Sequence, residues 1–443
     1  MRRKIYQELL QWKQRSGESA LLVQGARRVG KSYIVEAFAK AEYKSYILID
    51  FNLVDQPVKE MFEHDLVDLK TFFMKLTTYY GVKLYERESL IIFDEVQLFP
   101  RARSAIKYLV ADGRYDYIET GSLISIRENV KDILIPSEED HVDMYPLDFE
   151  EFLFANGMNE TVISAMRQKF DKLESLEESM HDKMMDLFRK YLLVGGMPDA
   201  VNAYVQDKNI RSVREIQSEI HEYYAADASK YEADRRLTIR RIYDMIPSNM
   251  ENKKKRIVVQ NIENKRGKTF RDYQEEFEYL INAGVVSSVQ AISNPVFPLI
   301  ESAGKNLLKL YLNDVGILTG ILYGNNIRAI LDDQPSVNLG SVYETVVANE
   351  LKAHGYKLFY YDNRSKGEVD YLIDDYNSLS TVPIEVKSGK DYSIHSALNH
   401  FVNNEDYHIK KAFVLSNERT AQQKEKILYI PIYYIMFFHS DAG

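Results

Sequence analysis

A glycine-rich loop near the start of the chain has residue types that suit phosphate binding. Its eight residues fit the pattern G-x-x-x-x-G-K-S and are Gly25, Ala26, Arg27, Arg28, Val29, Gly30, Lys31 and Ser32. The glycines let backbone amides face phosphate oxygens, and the amino terminus of a following helix adds a favourable dipole. Lys31 can reach the β- and γ-phosphates, and the hydroxyl of Ser32 can hold Mg²⁺. The loop predicts a nucleotide site, which we expect to include Tyr33.

Two acids, Asp94 and Glu95, directly follow an apolar segment further along the chain. A buried parallel strand delivers the residues at its carboxyl end to the ligand edge of a sheet. We therefore expect Asp94 to bind Mg²⁺ through water and Glu95 to polarise an attacking water, which implies hydrolysis. A third apolar segment ends near Thr120 and Ser122, either of which could sense the γ-phosphate. A simple turn after a strand explains those two residues about equally well.

A second group of ionisable residues occurs near the end of the chain. Asp370 starts one apolar segment, and Glu385 and Lys387 stand two positions apart on the next. Strand alternation puts Glu385 and Lys387 on one face. Because two carboxylates can hold Mg²⁺ and a lysine can orient a hydrolytic water, we predict Asp370 and Glu385 as metal ligands and all three residues as catalytic. Glu344, on a predicted helix, could complete the set.

The segments that carry the phosphate loop alternate between strand and helix patterns. Apolar runs predict strands at 20–24, 45–51, 89–96 and 115–120, and helical periodicity marks 31–40 and 69–80. This alternation is typical of a mostly parallel sheet covered on both faces. Glycine, asparagine and proline in 316–340 predict a linker.

Composition narrows the classes of function. The 443 residues carry a net charge of −9, so nucleic-acid binding would need a local basic patch. The basic runs 253–256 and 265–268 are candidates, although a solvated loop explains them slightly better. The absence of cysteine excludes disulfides, thiolate zinc sites and a cysteine nucleophile, and it fits a reducing cytoplasm. Only His395 and His400 are closely spaced among the histidines, so we predict no transition-metal site.

No apolar run is long enough for a membrane helix, and the first residues do not form a signal peptide. The expected location is therefore the cytoplasm, with no membrane association.

Residues 1–200 resemble the bacterial and archaeal AAA-type ATPases called the AAA_14 group. The matching motifs are 25–32, Asp94-Glu95-Val96-Gln97, Thr120-Gly121-Ser122, Tyr145-Pro146-Leu147-Asp148-Phe149-Glu150-Glu151-Phe152 and Gly195-Gly196-Met197-Pro198. The resemblance implies ATP and Mg²⁺ as cofactors and an arginine finger that often comes from a neighbouring subunit. The candidate arginines are Arg28, Arg114, Arg127, Arg235, Arg236, Arg240 and Arg241. For any one of these arginines, an ordinary position on the protein surface is a better explanation than a role as the arginine finger.

Residues 200–443 resemble DUF4143, a domain of unknown function that follows such ATPases, and more distantly the PD-(D/E)xK nuclease fold. The matching motifs are Gly340-Ser341-Val342-Tyr343-Glu344, Glu368-Val369-Asp370 and Ile384-Glu385-Val386-Lys387-Ser388-Gly389. The resemblance implies either an active Mg²⁺ nuclease site or an idle cluster in a domain that binds protein or nucleic acid.

Together these features predict an α/β chain of four parts. We expect a P-loop ATPase domain at 1–145, a helical lid at 146–238, a winged-helix-like module at 239–315 and a nuclease-like α/β domain at 316–443. The expected activity is Mg²⁺-dependent ATP hydrolysis that controls the attached nuclease-like or binding domain. The alternatives are an ATP-coupled, Mg²⁺-dependent DNA nuclease and an ATP-dependent scaffold with little turnover. Expected partners are ATP, DNA or protein through the middle and last parts, and further copies of the chain.

Overall fold

A computed structural model describes most of the chain. The described residues are 1–15, 17–122, 137–227, 233–252, 255–263, 267–303, 307–332, 337–363, 367–389 and 395–440. They form two units. The first comprises Arg2–Tyr145 and Asn282–Gly284, and the second comprises Met1, Pro146–Ile281 and Val285–Gly443.

The first unit is built on a five-stranded, fully parallel sheet with the order β2-β3-β4-β1-β5. The strands are β1 Ala20–Gly25, β2 Ser45–Asp50, β3 Ser89–Asp94, β4 Asp116–Gly121 and β5 Glu139–Met144. The helices are α1 Ile5–Gln14, α2 Lys31–Glu42, α3 Gln56–Glu60, α4 Leu69–Tyr80 and α5 Pro100–Asp112, with a π-helical turn Met61–Asp65 and a 3-10 turn Val96–Leu98. The predicted α/β class is confirmed.

Helix α4 shows how local residues set these elements. Its bounds are the predicted ones, because Asp68 accepts hydrogen bonds from the first amides and Gly81 ends the helix in the left-handed region at φ 64°. Phe72, Phe73 and Leu76 recur at helical spacing and are buried in the core beside the sheet. The helix therefore contributes an apolar face to the sheet that carries the phosphate loop.

Strand β5 was missed because its residues are mostly polar. It is an edge strand. Its side chains alternate between two environments, with Val142 and Met144 buried and His141 and Asp143 exposed. Glu139 is buried, and Arg103 of α5 balances its charge by donating to both carboxylate oxygens, at 2.7 and 3.2 Å. Glu119 on β4 is also fully buried, and burial together with the Glu139 carboxylate raises the pKa of Glu119 well above its ordinary value.

The second unit begins with helices, in agreement with the helical pattern of 146–238. These are α6 Phe149–Ala155, α7 Glu160–Asp171, α8 Glu178–Val194, α9 Pro198–Asp207, α10 Ile210–Asp227 and α11 Ala233–Met250, followed by the shorter α12 Gln260–Glu263 and by α13 Gln274–Asn282. A 3-10 turn, Phe270–Tyr273, precedes α13.

The second unit also holds an eight-stranded mixed sheet with the order β12-β13-β11-β10-β9-β8-β6-β7. Its strands are β6 Val286–Ile292, β7 Leu308–Leu312, β8 Phe359–Asn363, β9 Gly367–Asp375, β10 Ser380–Val386, β11 Ala412–Ser416, β12 Gln422–Lys424 and β13 Ile427–Pro431. The remaining helices are α14 Val315–Tyr323, α15 Arg328–Leu331, α16 Gly340–Ala353 and α17 Ser396–Val402. Short 3-10 turns complete the unit at Leu299–Ser302, Glu405–Tyr407 and Ile432–Phe437.

The expected linker at 316–340 is wrong over its first part. Residues Val315–Tyr323 form a helix whose first half is buried, because the run is almost wholly apolar. Gly324 then ends this helix at φ 52°, so the glycine marks a helix end within the folded unit.

The hairpin expected in the winged-helix-like module is present, but it is not a separate sheet. Strands β6 and β7 pair antiparallel, and β6 also pairs in parallel with β8 of the following segment. The sheet therefore crosses the predicted boundary at 315, and the winged-helix assignment and the domain bounds stay predictions.

Candidate functional site

The phosphate loop lies between β1 and α2, and its glycines are required by the backbone. A Cβ on Gly25 would lie 2.2 Å from the carbonyl oxygen of Met144, which no larger residue can tolerate. Gly30 is left-handed at φ 95° and directly precedes the first residue of α2, Lys31. The amides at the start of α2 are therefore available to an anion held by the loop.

Arg3 supports this loop, although the sequence patterns did not single it out. Its guanidinium donates to the carbonyl oxygen of Val29 at 3.0 Å and to that of Tyr145 at 2.6 Å. Arg3 is buried, and its contact with Val29 is shielded from bulk water, whereas its contact with Tyr145 is partly buried. Arg3 lies between Arg2 and Lys4 in the basic first residues, and nothing in that run distinguishes it from its neighbours.

Lys31 is held inside the loop. Only 5% of the residue is exposed, and its Nζ donates to the carbonyl oxygens of Gly25 at 3.1 Å and Ala26 at 2.9 Å. Burial lowers the pKa of Lys31 to about 8, although the carboxylates of Glu95 and Asp94 act to raise it. The ammonium is thus fixed in the loop, close to both predicted acids.

One carboxylate oxygen joins the phosphate loop to the middle of the sheet. Strand β4 lies between β1 and β3, and this order brings Thr120 beside the end of β3. The hydroxyl of Ser32 donates to Oδ1 of Asp94 at 2.7 Å, and the hydroxyl of Thr120 donates to the same atom. Hydroxyl and carboxylate oxygens are the ligand types that Mg²⁺ prefers, so these groups fit a magnesium site.

Glu95 has an unusual backbone conformation at the end of β3. Its φ is 54°, in the left-handed region that residues with a side chain rarely adopt. Its amide donates to the Thr120 hydroxyl at 3.2 Å, and its carboxylate accepts from the side-chain amide of Gln97. Thr120 therefore contacts both acids, and Gln97 fixes the direction of the Glu95 carboxylate.

The other predicted nucleotide-binding residues lie around this centre. Arg27, Arg28 and Tyr33 are exposed, and Ser122 is buried just beyond β4. Arg28 also has a left-handed backbone, at φ 65°. Their predicted contacts with nucleotide remain predictions.

The arginine-finger candidates are scattered, and several have acidic partners within the chain. Arg114 pairs with Asp112, Arg235 with Glu275, and Arg240 with Glu222 and Asp244, while Arg236 and Arg241 are exposed. Arg127 lies outside the described residues. The choice among these arginines stays open.

The predicted residues of the second site come together across β9 and β10. Oδ2 of Asp370 accepts a hydrogen bond from the amide of Val386 at 2.9 Å, and Nζ of Lys387 lies 2.8 Å from Oε1 of Glu385. Glu344 comes to strand β9 from α16, because its backbone carbonyl oxygen accepts a hydrogen bond at 2.7 Å from the hydroxyl of Tyr371, the residue after Asp370. We call this group, with the lysines described next, the acidic cluster.

The sequence patterns missed other members of the acidic cluster. Lys255 donates to Glu344, and the fully buried Lys309 on β7 lies 2.5 Å from Oε1 of Glu368. Tyr311 donates to the other oxygen of Glu344 at 3.1 Å. A signal existed for Lys309, because it is the single charged residue of the strand Leu308–Leu312.

Charges within the acidic cluster act strongly on one another. Burial, followed by Glu385 and Glu344, raises the pKa of Asp370 well above its ordinary value. Burial also raises the pKa of Glu385, against the effect of Lys387. Burial alone would lower the pKa of Lys309, but the surrounding carboxylates raise it. Lys255, Lys309 and Lys387 thus provide internal cations with which a bound Mg²⁺ would compete.

Two described residues of the basic run 253–256 form ion pairs with acidic residues of the same chain. Lys255 contacts Glu344, and Arg256 contacts Asp362. Residues 253–254 and 264–266 lie outside the described residues. The predicted role of these runs in nucleic-acid binding therefore has no support from Lys255 and Arg256.

Three segments of the chain match models of protein families. Residues 17–153 match AAA_14, an AAA domain, residues 185–326 match DUF8612, a domain of unknown function, and residues 339–435 match DUF4143, also a domain of unknown function. None of the curated proteins compared with this chain matches it. In the part of the chain that the structure describes, no helix is long and apolar enough to cross a membrane.

Solved structures give more distant likenesses. The Walker-type ATPase paby2304 of Pyrococcus abyssi has 14% identity and a TM-score of 0.43, over 72% of this chain and 95% of that one. The Aeropyrum pernix ORC1 protein in complex with DNA has 10% identity and a TM-score of 0.29, over 73% and 94% of the two chains. Cdc6p from Pyrobaculum aerophilum has 12% identity and a TM-score of 0.23, over 74% and 94%. These TM-scores are too low to support an argument about function.

The family matches agree with the motifs on which the resemblance was based. The phosphate loop, Asp94, Glu95 and Thr120 lie within the first matched segment, and Glu344, Asp370, Glu385 and Lys387 lie within the last. Residues 17–153 therefore resemble the AAA_14 family of AAA domains, and residues 339–435 resemble the DUF4143 family.

Proposed function

We propose that the first unit binds ATP and hydrolyses it with the help of Mg²⁺. The observation that carries this proposal is the convergence of Ser32 and Thr120 on one oxygen of Asp94, directly beside the buried Lys31. The AAA_14 match supports an ATPase domain around these residues. In this proposal the loop amides and Lys31 hold the phosphates, while Ser32 and, through water, Asp94 hold Mg²⁺, which would neutralise charge on the β- and γ-oxygens.

Glu95 is the proposed base. It follows the strand that ends at Asp94, and Gln97 orients its carboxylate. A carboxylate in this place can take a proton from water as the water attacks the γ-phosphate. Thr120 links Glu95 to Asp94, so we assign it the role of sensing the γ-phosphate, and Ser122 is the alternative.

Lys31→Ala tests the binding part of this proposal. Loss of charge-assisted hydrogen bonds should weaken ATP binding about 10- to 100-fold, measured by titration calorimetry. AMP lacks the β- and γ-phosphates, so its weaker binding should change little.

The affinity of the wild type for ATP should also depend on pH. Because the pKa of Lys31 is about 8, this affinity should fall as the pH rises above that value and Lys31 loses its charge.

Lys40→Ala is the matched control for Lys31→Ala. Lys40 lies on the same helix but is exposed and pairs with Glu36 at 2.7 Å. Its replacement should leave ATP affinity unchanged. Equal ATP binding by the wild type and Lys31→Ala would show that this loop does not hold the phosphates.

We further propose that the ATP cycle controls the DUF4143 domain. Support comes from the presence of an AAA domain and a DUF4143 domain in one chain. The alternative is a scaffold that binds ATP with little turnover. ATP binding without measurable phosphate release would favour the scaffold.

A DNA nuclease in the acidic cluster is the second candidate function. Its support is that Glu344, Asp370, Glu385 and Lys387 come together, and the internal lysine partners weigh against it. This candidate predicts that the wild type cleaves plasmid or single-stranded DNA with Mg²⁺ and that Lys387→Ala does not. Lys424→Ala, which changes an exposed lysine of β12, should cleave normally. Equal cleavage by the wild type and Lys387→Ala, or cleavage by neither, would remove the candidate.

A further inference from the structure

Asp148, Glu350 and His354 form a buried cluster in the second unit that shares no residue with the two sites described above. Asp148 precedes α6, whereas Glu350 lies on α16 and His354 directly follows that helix. Their side chains are 5%, 0% and 2% exposed. One possible ligand atom from each lies within 4.8 Å of the others, which is close enough for a single ion.

Backbone contacts direct the two carboxylates toward the imidazole. Oδ1 of Asp148 accepts from the amide of Glu151 at 2.8 Å, and Oε1 of Glu350 accepts from the amide of Phe149 at 2.7 Å. The second oxygens, Oδ2 of Asp148 and Oε2 of Glu350, lie 3.0 and 3.8 Å from Nε2 of His354. Each carboxylate thus has one oxygen fixed by the backbone and the other near Nε2. Such outer contacts are typical of groups that orient metal ligands.

Charge favours a cation among these three groups. When Asp148 and Glu350 are both ionised, they bring two negative charges next to His354, and this attracts a cation. Buried charges are usually paired or bound to metal, because burying an unbalanced charge is costly. A divalent cation with neutral His354 would balance both carboxylates.

We propose that Asp148, Glu350 and His354 bind a divalent transition metal, for which Zn²⁺ is the best match. Tetrahedral Zn²⁺ with bonds of about 2.0–2.2 Å places neighbouring ligand atoms roughly 3.3 Å apart. The observed separations of 3.0 and 3.8 Å bracket this value. One imidazole and two carboxylates leave a fourth position for water, as in three-ligand zinc sites.

His439 lies next to the proposed site. The ring of His439 packs against that of His354, with centroids 4.8 Å apart. His439 and Tyr356 also line a cavity of about 230 Å³. Bound metal would join α6, at the end of the AAA_14 segment, to α16 of the DUF4143 segment, so its expected role is to stabilise this junction.

Metal titration of the full chain, without ATP, tests the proposal. After treatment with a chelator and dialysis, the wild type should bind one Zn²⁺ per chain and its melting temperature should rise with Zn²⁺ concentration. Glu350→Gln keeps an acceptor for the amide of Phe149 but loses the charge, and His354→Gln loses the imidazole. Both variants should bind Zn²⁺ about 10- to 100-fold more weakly than the wild type.

Two controls separate this site from other sources of binding. His181→Gln changes a buried histidine that contacts the hydroxyl of Tyr433 at 3.1 Å, and it should keep the bound Zn²⁺. A double variant, Asp370→Asn with Glu385→Gln, should keep it as well, which excludes the acidic cluster. No Zn²⁺ bound by the wild type, or equal binding by Glu350→Gln, would overturn the proposal.

A spectroscopic measurement covers the case in which Glu350→Gln and His354→Gln fail to fold. Co²⁺ added to the chelator-treated wild type should give the visible absorption of a four-coordinate ion, and one equivalent of Zn²⁺ should remove it. A spectrum of six-coordinate, solvated Co²⁺ alone would also overturn the proposal.

Discussion

Glu95→Gln should release phosphate from ATP roughly 10²- to 10⁴-fold more slowly than the wild type, while its affinity for ATP changes little. Glutamine has nearly the shape of glutamate but cannot accept the proton of the attacking water. ATP is expected to be held by the loop, Lys31 and Ser32, none of which this substitution alters. Phosphate release and ATP titration on the same preparation measure the two effects separately.

Asp50→Asn is the matched control for Glu95→Gln. Asp50 ends β2 and pairs in register with Asp94, so it lies at the same edge of the sheet. Its carboxylate accepts from the amide of Asn52 at 2.8 Å. This variant should hydrolyse ATP at nearly the wild-type rate. If Glu95→Gln also keeps that rate, another group activates the water.

Glu139→Gln should lower the free energy of unfolding by about 3–5 kcal/mol. The substitution leaves the buried guanidinium of Arg103 without its carboxylate, and an unbalanced buried charge is strongly unfavourable. Urea unfolding at neutral pH, followed by a probe of the first unit, measures the loss. A loss below about 1 kcal/mol, which is ordinary for an exposed ion pair, would contradict the buried pairing.

Glu119→Gln provides the contrast to Glu139→Gln on the neighbouring buried carboxyl group. Because the folded-state pKa of Glu119 is raised, its contribution to stability is complete below the ordinary value of 4.5 and is lost as pH rises toward the folded-state pKa. Glutamine stays neutral at every pH. The stability of Glu119→Gln relative to the wild type should therefore rise with pH above 4.5. A difference that does not vary with pH would show that Glu119 titrates normally.

The parts of the fold that sequence predicted best are those in which local chemistry decides the structure. The loop around Lys31 depends on glycines that are visible in the sequence, and α4 depends on Asp68 and Gly81 at its ends. The pairing of Glu385 with Lys387 follows from strand alternation. Each of these features needs only neighbouring residues to be recognised.

Features that depend on distant residues were not predictable in the same way. Strand β5 has a polar sequence, and the burial of Glu139 depends on Arg103 of another element. Strand β6 pairs on one side with β8, which comes much later in the chain. Asp148 and His354 are 206 positions apart in the sequence and meet only in the folded second unit, so histidine spacing alone gave no sign of the proposed metal site.

Phosphate release by the full wild-type chain, with ATP and with either Mg²⁺ or excess chelator, tests the central claim most directly. The arrangement of Lys31, Ser32, Asp94 and Glu95 predicts sustained release that requires both ATP and Mg²⁺. ATP binding with no release above background, or equal release in the presence of chelator, would contradict the proposal that this site is a magnesium-dependent ATPase.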